Sequence, residues 1–388
     1  MSKNNSPLLN YWFIIIIKKR GIYMYCCTNC FMDNYIIEVI KDYDEVGDCD
    51  YCESEEVNIV DEDELVHYFG IVKKLYKPLM IGENMTTDDD AVDIGEQLFT
   101  IFNENWQVFD GDYESSEKLF YSLMKSYDPY DDYTQFYTKT QDDFYRRDSI
   151  ELWDFLSQKL TKQNRFFPSK ADQYGQEDID EILDTTKNVF YQQARVVKKG
   201  YKLLRARIGK FEELGQLHSP PEHVISVGRA NPVGIKMLYC VSDEGDRDTA
   251  IETAISEVRA PASSTVTIAE ITTNKELKLV DLSDFDGIKS VFELDQDGDP
   301  VNELDKRRLT SYYVRSLSKP ILEDTAQIEY ISTQYLTALA EHLWFDGIMF
   351  KSSISKGLNL VIFDEKNCDF NRLYYFEVEE LRYNIKKL

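Results

Sequence analysis

The chain has 388 residues, 43% hydrophobic and 13% aromatic, enough for two or three compact cores and too aromatic for long disorder. Against 44 Lys and Arg stand 70 Asp and Glu, a formal net charge of −26. That field repels phosphate backbones, and without an extended basic run nucleic acid is not expected as the main partner. The seven cysteines are odd in number, and five crowd between residues 26 and 52, which is not the spread of a secreted disulfide scaffold. A cytoplasmic protein is expected.

The first apolar stretch, Leu8 to Ile17, is followed by Lys18, Lys19 and Arg20. It is too short for a spanning helix, which needs about 20 residues. A secretory signal would carry its basic cluster first. Residues 1–23 are read as a leader or extension, with a buried strand as the plainer alternative and Met24 as a candidate start. No membrane association is expected.

Next come Cys27-Thr28-Asn29-Cys30 and Cys49-Asp50-Tyr51-Cys52, two C-x2-C pairs separated by eighteen residues. Each pair fits a tight knuckle that offers two thiolates to one tetrahedral ion, so Cys27, Cys30, Cys49 and Cys52 are expected to hold a structural zinc. Four thiolates leave no open position for catalysis. Cys26 is then a spare, and Cys240 and Cys368 read as ordinary buried thiols. The knuckle is assigned residues 24–60, ending in a short strand over Val57 to Val60. Residues 61–195 are expected to be helical: apolar side chains recur at three- and four-residue spacing in Glu64 to Tyr76, Ala91 to Phe99 and Ile150 to Leu156.

After Lys198-Lys199-Gly200 the pattern changes. Strands are expected over Tyr201 to Gly209, Lys236 to Val241, Thr265 to Ile271, Leu277 to Val280, Gly347 to Phe350 and Leu358 to Phe363. Helices are expected over Asp248 to Val258, Leu304 to Leu317 and Ser332 to Phe345. The whole is an α+β chain: a zinc knuckle and a helical domain, then a mixed α/β domain over residues 200–388. The run Asp295 to Pro300 resembles a calcium loop, but Pro300 stands where the glycine should be. The chain has no G-x-S-x-G, G-x-G-x-x-G or Walker A sequence.

Four pieces of this second half stand in a particular order. Arg205 and Arg207 share one face of the first strand. Gly228-Arg229-Ala230-Asn231-Pro232 is a turn with an arginine in its mouth, and Tyr239 follows ten residues beyond that arginine. The helix ends Ala254-Ile255-Ser256-Glu257-Val258-Arg259, and the strand from Gly347 runs into Ser352 and Ser353. Singly, each has a plain structural explanation; their order and spacing together carry the signal.

This set resembles the RES domain, a family named for its Arg, Glu and Ser. The Cys-rich, acidic and helical front resembles the HEPN-like domain that accompanies some RES domains, although the Arg-x(4–6)-His pair of HEPN ribonucleases is missing. The resemblance implies an ADP-ribosyltransferase-like core and an NAD-degrading toxin or defence effector, cleaving the nicotinamide–ribose bond by hydrolysis or phosphorolysis. The alternatives are a protein ADP-ribosyltransferase and a nucleotide-binding protein without turnover. NAD is then the substrate, an inhibitory or trigger protein the partner, and a homo-oligomer is admitted. The candidate catalytic residues are Arg229, Tyr239, Glu257 and Ser352, with Arg205, Arg207 and Asn231 binding NAD. Glu257 suits the cationic ribosyl transition state, the arginines the pyrophosphate, Tyr239 the nicotinamide or ribose, and Ser352 the ribose or the nicotinamide amide. Two departures from the family pattern are a long segment from Ser242 to Asp248 and a second acid, Glu252. Glu252 and Ser353 remain alternatives to Glu257 and Ser352.

Overall fold

The computed structural model describes residues 23–79, 95–139, 148–168, 176–283, 289–294, 298–319 and 326–380. Residues 1–22 of the expected leader or extension (1–23) lie outside them, as do residues 295–297 of the calcium-like loop and the first part of the helix expected from Ala91. Contacts divide the chain into two compact units: Met1–Arg146 with Ile288–Asp305, and Arg147–Gly287 with Lys306–Leu388. The fold is mixed α/β, with the cysteine cluster in the N-terminal region.

In the first unit, β1 (Tyr25–Cys27), β2 (Val46–Gly47) and β3 (Val57–Asp61) form an antiparallel sheet with β3 in the middle. Helix α1 (Asn34–Asp42) starts at Asp33, whose carboxylate accepts from Tyr35 N at 2.9 Å and Ile36 N at 3.2 Å. That satisfies two of the amides a helix start leaves unpaired. Ser290 Oγ donates to the same carboxylate at 3.0 Å and fastens the returning segment to the unit. Helices α2 (Val66–Lys73), α3 (Leu98–Thr100, continuing as a π-turn to Asn105) and α4 (Tyr113–Tyr127) surround an aromatic core. There Phe69 stacks on Phe102 at 5.4 Å and meets Phe292 at 5.2 Å. The expected helical character is interrupted by a second small sheet of β4 (Tyr76–Pro78), β5 (Glu96–Gln97) and β6 (Phe136–Lys139).

The second unit contains α5 (Ser149–Lys162), α6 (Gln176–Gln192) and an eight-stranded sheet. Its strands are β7 (Ala194–Val197), β8 (Lys202–Ile208), β9 (Leu238–Ser242), β10 (Thr265–Thr273), β11 (Leu277–Leu282), β12 (Gly347–Lys351), β13 (Leu358–Ile362) and β14 (Cys368–Glu377). Their order is β14-β10-β8-β9-β13-β12-β11-β7, antiparallel except for β11 beside β12. Parallel neighbours need a long crossover. Helices α8 (Pro300–Ser318, in this unit from Lys306) and α9 (Ala326–His342) occupy that connection. Helix α7 (Arg247–Glu257) joins β9 to β10.

The sequence places a domain boundary near residue 200, whereas the contacts put α5 and α6 with the sheet. The reason is apolar burial. Trp153 of α5 packs edge-on against Tyr313 of α8 at 5.0 Å, and Phe190 of α6 meets Phe345 at 6.3 Å. Thr186 and Tyr313 share a buried hydroxyl–hydroxyl bond of 2.7 Å.

Candidate active site

The site begins at the end of α7. Asp246 caps its start, its carboxylate accepting from Thr249 N. Ala250, Thr253 and Ala254 turn inward at helical spacing. Glu257, one turn beyond Thr253 and Ala254, brings its carboxylate to a cleft of about 400 Å³. Glu252 lies off this buried face and is not among the residues lining the cleft. Glu257 Oε1 accepts from Ser352 Oγ at 2.7 Å and from Asn359 Nδ2 at 2.6 Å. Ser352 Oγ also accepts from Ile354 N at 3.2 Å and Ser355 N at 3.1 Å. Ser353, its neighbour, lines the cleft.

Arg205, on β8, lines the cleft and donates to the Tyr239 carbonyl at 2.8 Å. Arg229 donates to the carbonyls of Ser316, at 2.9 Å, and Lys319, at 2.8 Å, capping the end of α8. Its guanidinium lies 5.4 Å from the Tyr330 ring centre. Burial pushes both guanidiniums below their ordinary value, and among the described residues neither forms an ion pair. Both side chains are half-buried and Glu257 acts on Arg229 through charge, but a partly desolvated guanidinium with no ion-pair partner still favours an anionic ligand in the cleft.

Tyr239 presents its ring to the cleft, while its hydroxyl is engaged in the Gly228–Asn231 turn. The hydroxyl donates to Asn231 Oδ1 at 2.6 Å and accepts from Ala230 N at 3.1 Å, and burial pushes the phenol up to about 12. Gly228 is required here: a Cβ would lie 2.6 Å from that hydroxyl and 2.4 Å from Asn231 Oδ1. Gln334 of α9 holds the same turn by donating to the carbonyls of Gly228, at 2.8 Å, and Asn231, at 3.1 Å.

Of the residues singled out from the sequence, Arg205, Arg229, Tyr239 and Glu257 meet at one cleft, and Ser352 reaches it through Glu257. Asn231 is buried in its turn, with Nδ2 donating to Ser226 and Pro232 carbonyls. Arg207 donates to the Gln216 carbonyl, stacks over Phe211 at 5.5 Å and is not a lining residue. Sequence reading missed Asn359 and Tyr330. A polar residue inside the apolar run Leu358-Asn359-Leu360-Val361-Ile362 is a usable signal for the first; Tyr330, one of 26 tyrosines, has none.

In the first unit the ligand atoms of Cys27, Cys30, Cys49 and Cys52 lie within 4.8 Å of one another. The Cys27–Cys52 sulfurs are 3.4 Å apart and the Cys30–Cys49 sulfurs 3.5 Å. Tetrahedral coordination at about 2.3 Å requires sulfurs close to this separation, so the four thiols could hold a metal ion. The amides of Tyr51 and Cys52 point at Cys49 Sγ, at 3.4 and 3.5 Å, as a knuckle requires. Cys26 is buried outside the group, near the Val60 carbonyl.

No helix among the described residues is long and apolar enough to cross a membrane. A search of curated proteins found no match. Among solved structures, the M. tuberculosis MbcT–MbcA toxin–antitoxin complex is similar at 12% identity, over 50% of this chain and 93% of that chain, with a TM-score of 0.29. Residues 202–385 match the family model of the RES domain. This span contains the cleft, its arginines and Glu257, and by that match the C-terminal part of the chain is a RES domain.

Proposed function

We propose that the RES domain cleaves the nicotinamide–ribose bond of NAD, by hydrolysis or phosphorolysis, and that the protein acts as a toxin or defence effector. The observation that carries this reading is the Glu257 carboxylate in one cleft with two desolvated guanidiniums and two tyrosine rings. Bond breaking leaves positive charge on the ribose, and a carboxylate fixed nearby stabilises it as it develops. Arg205 and the donors Arg229 keeps free take the pyrophosphate, whose charge offsets their burial. The rings of Tyr239 and Tyr330 give flat apolar surfaces for nicotinamide or the ribose face. The cysteine cluster is assigned a structural zinc, four thiolates being the ligand set that metal favours for holding a fold together.

The test is nicotinamide release from NAD by the full chain beside two variants. Glu257→Gln is expected to lower kcat about 10²- to 10³-fold, the range for removing a transition-state electrostatic contact. Glu252→Ala is expected to behave as wild type. Loss of NAD that persists in Glu257→Gln would sink the assignment of that acid. Stimulation by inorganic phosphate marks phosphorolysis, and label from NAD left on protein marks ADP-ribosyl transfer.

A further inference from the structure

We infer that Ser352 and Asn359 are positioning residues, a two-donor clamp that fixes Glu257 by one oxygen and turns its other oxygen to the cleft. The inference rests on the reading of Glu257 as the acid beside the ribose.

Glu257 is the last residue of α7, where the helix dipole disfavours an anion. Its charge therefore needs donors from elsewhere. They come from the end of β12 and from β13, and both converge on Oε1, at 2.7 and 2.6 Å. Among the described residues Oε2 has no hydrogen-bond partner.

The inventory of each donor supports the clamp. A serine hydroxyl has one proton and two lone pairs. The Ser352 proton goes to Glu257, and its lone pairs receive the Ile354 and Ser355 amides. This hydroxyl has nothing left for a substrate, so its role runs through the carboxylate. Asn359 is 9% exposed, sits in an otherwise apolar strand and gives an amide N–H to the same oxygen. Thr253 braces the loop between the two donors: its hydroxyl accepts from Gly357 N at 3.1 Å and pairs with Ser355 Oγ at 2.8 Å. A Cβ on Gly357 would lie 2.5 Å from that hydroxyl, so this approach needs glycine.

Two readouts on the full chain decide the matter. Asn359→Leu keeps the side chain's size and removes its donor; Ser352→Ala removes the other donor. Each is expected to lower kcat for nicotinamide release about 10- to 100-fold with KM within about threefold, the loss of one hydrogen bond to a charged group. A raised KM at unchanged kcat would overturn the proposal, because it would put the residue on the substrate. The second readout needs no turnover: the ¹³C carboxyl spectrum of glutamate-labelled protein, with the Glu257 resonance identified by its loss in Glu257→Gln. Both variants are expected to move that resonance while the other glutamates keep theirs, which also shows that the fold survives. A resonance unmoved in both would overturn the clamp. A wild-type chain that releases no nicotinamide would refute the NAD reading alone, and the spectrum would still judge the clamp.

Discussion

Tyr239 joins two tasks on one side chain, with its ring on the cleft and its hydroxyl inside the Gly228–Asn231 turn. Tyr239→Phe keeps the ring but leaves Asn231 Oδ1 and the Ala230 amide unpaired. The expected cost is about 1–3 kcal/mol of stability, read by urea denaturation, with KM for NAD within about threefold. Full stability with lost turnover would instead place the hydroxyl on the substrate. The residues legible in the sequence were those whose types are rare enough to mark a position: an arginine in a turn, a tyrosine ten residues on, an acid closing a helix. What they touch was not legible. Asn231 reads as a ligand contact from its place beside Arg229, yet its amide is turned inward to hold two carbonyls. Arg207 shares the parity of Arg205, but the segment after β8 folds back to engage its guanidinium. Spacing fixes the face of a strand and leaves open which loop covers it.

At the scale of elements, α5 is the instructive case. It precedes the RES match, yet Trp153 is buried against Tyr313, and Tyr312 donates to Asp154 at 2.6 Å. Trp153→Ala is expected to cost about 3–5 kcal/mol, the range for deleting a buried large aromatic, and to lower NAD turnover by reducing the folded fraction. Thermal denaturation checks this; an unchanged melting temperature would mean that α5 contributes nothing to the unit. The amphipathic period marked α5 as a helix but not its partners, because an apolar stripe says only that something covers it. Strand β14 escaped the sequence reading for another reason. Its pairing with β10 shifts at Glu270/Ile271, leaving Asn371 unpaired. Cys368 and Phe370 pack with Leu373 on one side of the sheet, so the alternation slips by one residue and the period of two is hidden.

For the whole molecule, the cysteine cluster should govern the stability of the first unit. The purified chain is expected to carry about one equivalent of zinc, and Cys49→Ser to lose the metal together with the near-ultraviolet signal of the Phe69 and Phe102 core. Metal analysis with circular dichroism checks both, and a metal-free wild type with an intact core would refute the assignment. The last consequence comes from the excursion Ile288–Asp305, which leaves the second unit and returns to it. The chain thus passes between the units three times, at 146/147, 287/288 and 305/306. One peptide-bond cleavage therefore cannot set the units apart: cut between Lys139 and Asp148, the N-terminal piece still encloses Phe292 and still receives the Ser290 hydroxyl on Asp33. The two pieces are expected to co-elute in gel filtration and to part only in denaturant. Separate elution in native buffer would show that the excursion is a loose appendage. A protease that nicks this chain once would leave a non-covalent complex, and freeing the second unit from the first would take three cuts, one at each passage.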